Sequence, residues 1–252
     1  MKIAVLHENP SGVVLFLVAK AAGSDLNQKK PEDSEQPTFS VMKRLLRLVS
    51  LVVALGWPLA SPAAQFKFPN QTLTVPEGFE VELVAGPPLV NRPISADFDE
   101  QGRLYVTDSS GSNDKVLKQL EDKPNRIVRL EDSDGDGRFD RSAVFADQVA
   151  FPEGAMWFNG SLYVAAPPSI WKFTDTNHDG VADKREEWFQ GKTITGCAND
   201  LHGPYPGPDG WIYWCKGAFA KQTYERPGSR RSSLALRTFF VAVRTAAALN
   251  RS

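Results

Sequence analysis

The chain reads as an all-β protein: a partial β-propeller of about two full blades and part of a third, preceded by a helical N-terminal signal segment. Three observations predict this. Short runs rich in Val, Ile, Leu, Tyr, Phe and Trp are repeatedly bounded by Gly, Pro, Asp or Asn, the punctuation of strands and turns. A strand–turn–strand unit recurs three times along the chain. An acidic hairpin recurs twice between those units, giving a period close to that of a four-stranded blade.

The strand–turn–strand units are ADFDEQGRLYVTDSS (96–110), AMWFNGSLYVAAPPS (155–169) and GPYPGPDGWIYWCKG (203–217). Their turns contain Asp99 to Gly102, Asn159 to Gly160 and Pro208 to Gly210. Their second strands carry Tyr105, Tyr163 and Tyr213. Aligned on Leu104, Leu162 and Ile212, the units stand 58 and 50 residues apart. Blade one is expected from about Ile94 to Asp147 and blade two from about Phe151 to Gly191. Blade three is expected to begin near Asn199. Residues 65–93 form an extended lead-in, whose alternation at Phe79, Val81 and Leu83 suits a strand completing another blade. A β-sandwich would also place strands and turns in series. The ordered return of both halves of the unit favours the propeller, and the repeat is expected over residues 94–227.

The acidic hairpins are NRIVRLEDSDGDGRFDRSAVFAD (125–147) and PSIWKFTDTNHDGVADKREEWFQG (168–191), with Asp132 and Asp175 at equivalent places 43 residues apart. DTNHDGVADKRE has the spacing of a twelve-residue calcium loop. Asp175, Asn177, Asp179, the Val181 carbonyl, Asp183 and Glu186 are its candidate ligands, and Gly180 makes the sharp turn. The flanks Ile170–Phe173 and Glu187–Phe189 read as strands rather than helices, so the loop is expected at a hairpin. The first loop supplies Asp132, Asp134, Asp136 and Asp140 but has Ala143 where the second has Glu186, so weaker binding is expected there. Aspartate and glycine also belong in solvated turns without an ion. At the affinities of extracellular modules, calcium would brace each loop by only about 0.5–1.5 kcal/mol, which does not argue for catalysis.

The chain has 252 residues, 42% hydrophobic and 23% charged, with a formal net charge of -1. This near-neutral balance gives no electrostatic case for nucleic-acid binding. From Met42 the sequence shows a basic start (Lys43, Arg44, Arg47), an apolar run from Leu48 to Leu59, and small residues at Ser61 and Ala63. That order predicts a signal peptide over 42–64, cleaved near Ala63 or Ala64, and an exported, periplasmic or cell-surface protein reaching the membrane through that segment. Residues 1–41 are then expected to be a mis-assigned or disordered leader, with translation starting at Met42. The two cysteines, Cys197 and Cys215, either bridge a hairpin or stand as two buried thiols. No CxxC or CxxCH is present, so the chain alone offers no c-type haem attachment.

The stretches VPEGFEVELVAGPPLVNRPISADFDEQGRLYV and CANDLHGPYPGPDGWIYW, with the two acidic hairpins, resemble large exported bacterial membrane-bound dehydrogenase-like proteins. The propeller of that group is similar to soluble quinoprotein glucose and sorbosone dehydrogenases. The resemblance covers about residues 68–227. It implies oxidation of a sugar or alcohol, pyrroloquinoline quinone (PQQ) as cofactor, and a haem electron acceptor in a full-length parent. By position before the GPDG turn it makes His202 the general base. Such a base must present a neutral imidazole to the substrate hydroxyl. Asn199 and Asp200 would either orient His202 or cap a turn, with the turn preferred. A fold can persist without its chemistry. The alternative is therefore a non-catalytic, calcium-braced propeller that binds carbohydrate or protein.

After Pro227 the character changes. Residues 228–252 contain five arginines and no acidic residue, and no blade pattern is legible there. This tail reads either as a basic amphipathic segment for anionic lipid or as out-of-frame sequence interrupting blade three. The second is preferred. On that reading the chain is an N-terminal fragment, inactive alone because an open propeller lacks most of its walls.

Overall fold

The computed structural model describes residues 63–68, 71–191 and 193–217 with their side chains, together with the backbone of strands at 2–8, 14–21, 222–224, 232–234 and 240–244. The signal segment expected at 42–64 lies outside the described residues as far as 62. Ala63 and Ala64, at the expected cleavage point, open a strand.

The chain divides into two compact units, residues 1–2 with 19–81 and residues 3–18 with 82–252. Strands β1 (Lys2–Glu8) and β2 (Val14–Ala21) fall within the leader for which no structure was expected. In the first unit, β3 (Ala63–Phe68) and β4 (Gln71–Pro76) form an antiparallel hairpin pairing Phe66 with Leu73. β5 (Phe79–Ala85) follows, and a three-stranded sheet has the order β1-β2-β5.

The second unit carries the repeat. Strands β6 (Pro93–Phe98), β7 (Leu104–Asp108), β8 (Asn125–Glu131) and β9 (Arg141–Val149) make one four-stranded antiparallel meander. Strands β10 (Gly154–Phe158), β11 (Ser161–Ala166), β12 (Ser169–Thr174) and β13 (Lys184–Gln190) make a second. These bounds follow the two expected units closely. A third sheet begins with β14 (Leu201–Pro206) and β15 (Trp211–Lys216). The stretch after Pro227, where no strand of the repeat was expected, supplies two strands. β17 (Ser232–Leu234) pairs with β16 (Gln222–Tyr224), and β18 (Phe240–Arg244) pairs with β15 from Trp211↔Arg244 to Cys215↔Phe240. Val241 and Val243 suit a strand whatever the charge of the residues around them.

Alternation along the strands explains how the sheets layer. Successive side chains point to opposite faces. Leu104 and Val106 of β7 therefore join Val128, Leu130, Val84 and Ala85 in one core, while Tyr105 enters the next with Ile127 and Phe145. Leu162 and Val164 of β11 close that second core from the other side. Tyr163 and Ala165 face a third, shared with Leu201, Ile212 and Trp214 of the third sheet. β7 and β11 are buried along their whole length because apolar layers lie on both of their faces. Tyr105 stacks on Trp157 at 4.5 Å, tying adjacent sheets together.

The first strands of neighbouring sheets also lie against one another. The Ala155 and Trp157 amides of β10 donate to Ser95 Oγ (3.1 Å) and Asp97 Oδ2 (2.7 Å) of β6. Between β10 and β14 the backbones approach so closely that a Cβ on Gly154 would stand 1.9 Å from the Gly203 carbonyl oxygen, which only glycine allows.

The acidic loops dock in one repeated way. At the eighth position of each, the Phe139 amide donates to the Val84 carbonyl (3.0 Å) and the Ala182 amide to the Phe145 carbonyl (2.8 Å). At the eleventh, Ser142 Oγ donates to the Leu89 carbonyl (2.7 Å) and Arg185 to those of Gln148 (3.1 Å) and Asp147 (2.6 Å). β5 thus stands to the first sheet as β9 stands to the second. Between β7 and β8 a short helix not foreseen from sequence, α1 (Val116–Asp122), has no buried residue and no side-chain cap at its N-terminus.

Candidate functional site

His202 is the second residue of β14, opposite Cys215 of β15, and its side chain is 39% exposed. Both ring nitrogens face oxygens. Nε2 contacts Asn199 Oδ1, and Nδ1 lies 3.4 Å from Glu153 Oε2. Glu153 precedes β10, fixed by its amide donating to the Ala165 carbonyl (2.8 Å). The packing of β10 on β14 at Gly154 and Gly203 brings these distant residues together.

Glu153 Oε2 is buried and makes no aligned hydrogen bond; its contact with Nδ1 has ion-pair distance without hydrogen-bond geometry. Burial, chiefly, with the negative charges of Asp200 and Cys197, pushes the Glu153 carboxyl up to about 8. A buried carboxyl with no cation holding it ionised keeps its proton near neutrality. Sequence reasoning missed Glu153 because PEG before a strand carries no chemical signature.

Asn199 and Asp200 divide the two roles expected of them. Asn199 holds the imidazole. Asp200, fully buried, clasps the preceding turn by accepting from the Thr195 amide (2.5 Å) and hydroxyl (2.9 Å). The cysteines are free thiols. Cys197 is exposed, with its thiol drawn down mainly by a hydrogen bond with Thr195, while burial pushes the half-buried Cys215 up.

The acidic loops join β8 to β9 and β12 to β13, as the strand-like flanks predicted. Asp132, Asp134 and Asp136 each offer an oxygen, all within 4.8 Å of one another, and form the one cluster of three such groups among the described residues. Oxygens around one calcium ion lie at about 2.3–2.6 Å from it, so this separation and donor set fit the ion. The other candidates are engaged differently. Asp140 accepts from Ser133 and Asp183 from Thr176, through amide and hydroxyl in each case; these bonds hold both carboxyls below the ordinary range. Position nine is therefore a clasp across the loop. In the second loop, Asp175 accepts from the Asp179 (3.2 Å) and Gly180 (2.8 Å) amides, and Asn177 Nδ2 turns to Asp179 (3.1 Å). Val181 is exposed, and its amide donates to Asp179 (2.8 Å). Glu186 stands on β13 between Lys184 (3.1 Å) and Lys172 (3.8 Å). The sharp turn falls on Gly180 at φ 94°, as expected, and His178 is exposed.

The donor set around His202 does not suit PQQ, a tricarboxylate. Glu153 and Asp200 are acidic, and buried Lys216 turns its ammonium to the Gly217 carbonyl (2.8 Å). Among the described residues no helix is long and apolar enough to cross a membrane.

Residues 68–248 match the model of a domain of unknown function, DUF7133, and this match spans most of the chain, so the protein belongs to that family. The match takes in much of the arginine-rich stretch after Pro227. No curated protein and no solved structure matches the chain.

Proposed function

We propose that this chain is part of an exported, calcium-braced β-propeller that oxidises a sugar or alcohol, with His202 receiving the substrate hydroxyl proton and Glu153 orienting the hydroxyl. The observation that carries the reading is the unaligned 3.4 Å contact between His202 Nδ1 and a buried Glu153 oxygen without another partner. With Asn199 Oδ1 accepting at Nε2, Nε2 bears the hydrogen and Nδ1 is the basic nitrogen of the neutral ring. A substrate hydroxyl entering beside Nδ1 and Oε2 replaces one poor contact with two hydrogen bonds. Its proton passes to Nδ1, and Glu153 orients it.

Oxidising the carbinol carbon also requires a hydride acceptor, the chemistry a quinone supplies. The residues around His202 do not cradle one, and this chain alone is expected to show no dehydrogenase activity. The propeller reading draws support from the layered four-stranded meanders whose first strands lie side by side. Calcium at Asp132, Asp134 and Asp136 would brace a hairpin. Export rests on the Met42–Ala64 pattern.

A second reading, a non-catalytic propeller binding carbohydrate or protein, is favoured by the acidic surroundings of His202. Proton NMR of the ring resonances, identified through His202→Gln, separates the two. On the first reading, methyl α-glucoside shifts the His202 signal, and Glu153→Gln weakens that response. A His202 signal unmoved at saturating glycoside overturns the proton-accepting role.

A further inference from the structure

A cavity is lined by residues other than those of the histidine cluster. Residues two apart on a strand share a face, so Trp171 and Phe173 of β12 and Arg185 and Glu187 of β13 line one wall of a cavity of about 150 Å³. Lys123, just past α1, and Gln148, at the end of β9, also line it. Both hold left-handed backbone conformations, φ 48° and 52°; at Lys123 this is the C-cap of α1, whose amide donates to the Gln119 carbonyl.

The chemistry of the walls restricts the ligand. Arg185 is committed to the carbonyls of Asp147 and Gln148 and lies 5.0 Å over the Phe173 ring. Glu187 accepts from Ser169 Oγ at Oε1, leaving Oε2 available. Lys123 has no ion pair among the described residues. An anion meets Glu187, and a cation meets Arg185 and Lys123. A wholly apolar ring leaves the spare carboxylate oxygen and ammonium unanswered. Cavities of about this size accept a single six-membered ring.

We propose that this cavity binds one neutral pyranose ring. Its C–H face lies on Trp171, and its hydroxyls donate to Glu187 Oε2 and accept from Lys123. The cavity shares no residue with the Glu153–His202–Asn199 cluster, and binding here requires no chemistry there.

The test is saturation-transfer NMR and calorimetry on the full chain with methyl α-glucoside, benzoate and cyclohexanol. Saturable, millimolar binding of the glucoside is expected, with neither ring analogue competing. Glu187→Ala and Trp171→Leu should each weaken it about tenfold, and Gly196→Ala, outside the cavity and with nothing within 4 Å of the added Cβ, should leave it unchanged. Should Trp171→Leu fail to fold, Glu187→Ala decides, because Glu187 is exposed and outside the core. No saturable glucoside binding, equal binding of benzoate or cyclohexanol, or full affinity in Glu187→Ala overturns the assignment. Loss in His202→Gln alone moves the sugar to the histidine cluster and likewise overturns it.

Discussion

Replacing Glu153 with glutamine should stabilise the protein at alkaline pH and leave it nearly unchanged at pH 4. Free glutamate has the reference value 4.5, and in the folded chain Glu153 sits at about 8. Below the lower value both states are protonated and the group contributes nothing to the pH dependence. Between the two, the unfolded chain gives up its proton while the folded chain retains it. Stability therefore falls as pH rises, by about 1.4 kcal/mol per pH unit, and levels off above the upper value. Across the whole interval the effect would approach 5 kcal/mol; solvent access at the edge of the cluster and the imidazole alongside reduce it to about 3 kcal/mol. Glutamine keeps the shape and cannot ionise. In a chain of this size, Glu153→Gln should raise Tm at pH 9 by about 6–12 °C. Differential scanning calorimetry of both proteins from pH 4 to 9 measures the difference directly. A variant that is equally destabilised at both ends, or a wild type that gains stability from pH 5 to 8 relative to the variant, refutes the placement of an unpaired carboxyl there.

Three further outcomes follow from the packing. Gly154→Ala forces a Cβ to 1.9 Å from the Gly203 carbonyl oxygen and should cost about 3 kcal/mol in urea denaturation, whereas Gly196→Ala, with nothing within 4 Å, should cost little. Asp108, nearly buried, accepts from the Asn91 (3.0 Å) and Arg92 (2.6 Å) amides and from Arg126 (2.8 and 2.9 Å); Asp108→Ala should lower stability by about 3 kcal/mol in the same assay. Millimolar calcium should raise stability by about 0.5–1.5 kcal/mol, and Asp134→Asn should weaken that response without shifting the calcium-free Tm, since asparagine can still accept from the Asp136 amide.

Much of the fold was written locally. The alternation through Leu104–Tyr105–Val106 and Leu162–Tyr163–Val164 fixes which side chains enter which layer, and the Asp-Gly stretches at 132 and 175 fix where the hairpins turn. Strand period and turn chemistry are properties of adjacent residues, so they can be read without coordinates. α1 was not legible, since it is short, uncapped at its N-terminus and has no buried face to leave an apolar stripe. The place of β18 beside β15 was hidden as well, because an arginine-rich composition masks a short Val-containing strand whose partner lies far back in the chain.

The candidate site divides along the same line. The sequence by itself determined the two acidic hairpins, and its resemblance put forward His202 before the GPDG turn. Only the tertiary structure decided that Glu153 faces the imidazole, that Asp140 and Asp183 clasp their own loops, and that Glu186 turns to lysines. Each of those outcomes depends on which side chains packing brings within hydrogen-bonding reach and what water it removes. Glu153 and His202 belong to different sheets. They meet because Gly154 and Gly203 let β10 and β14 approach, a close contact that neither strand encodes without the other.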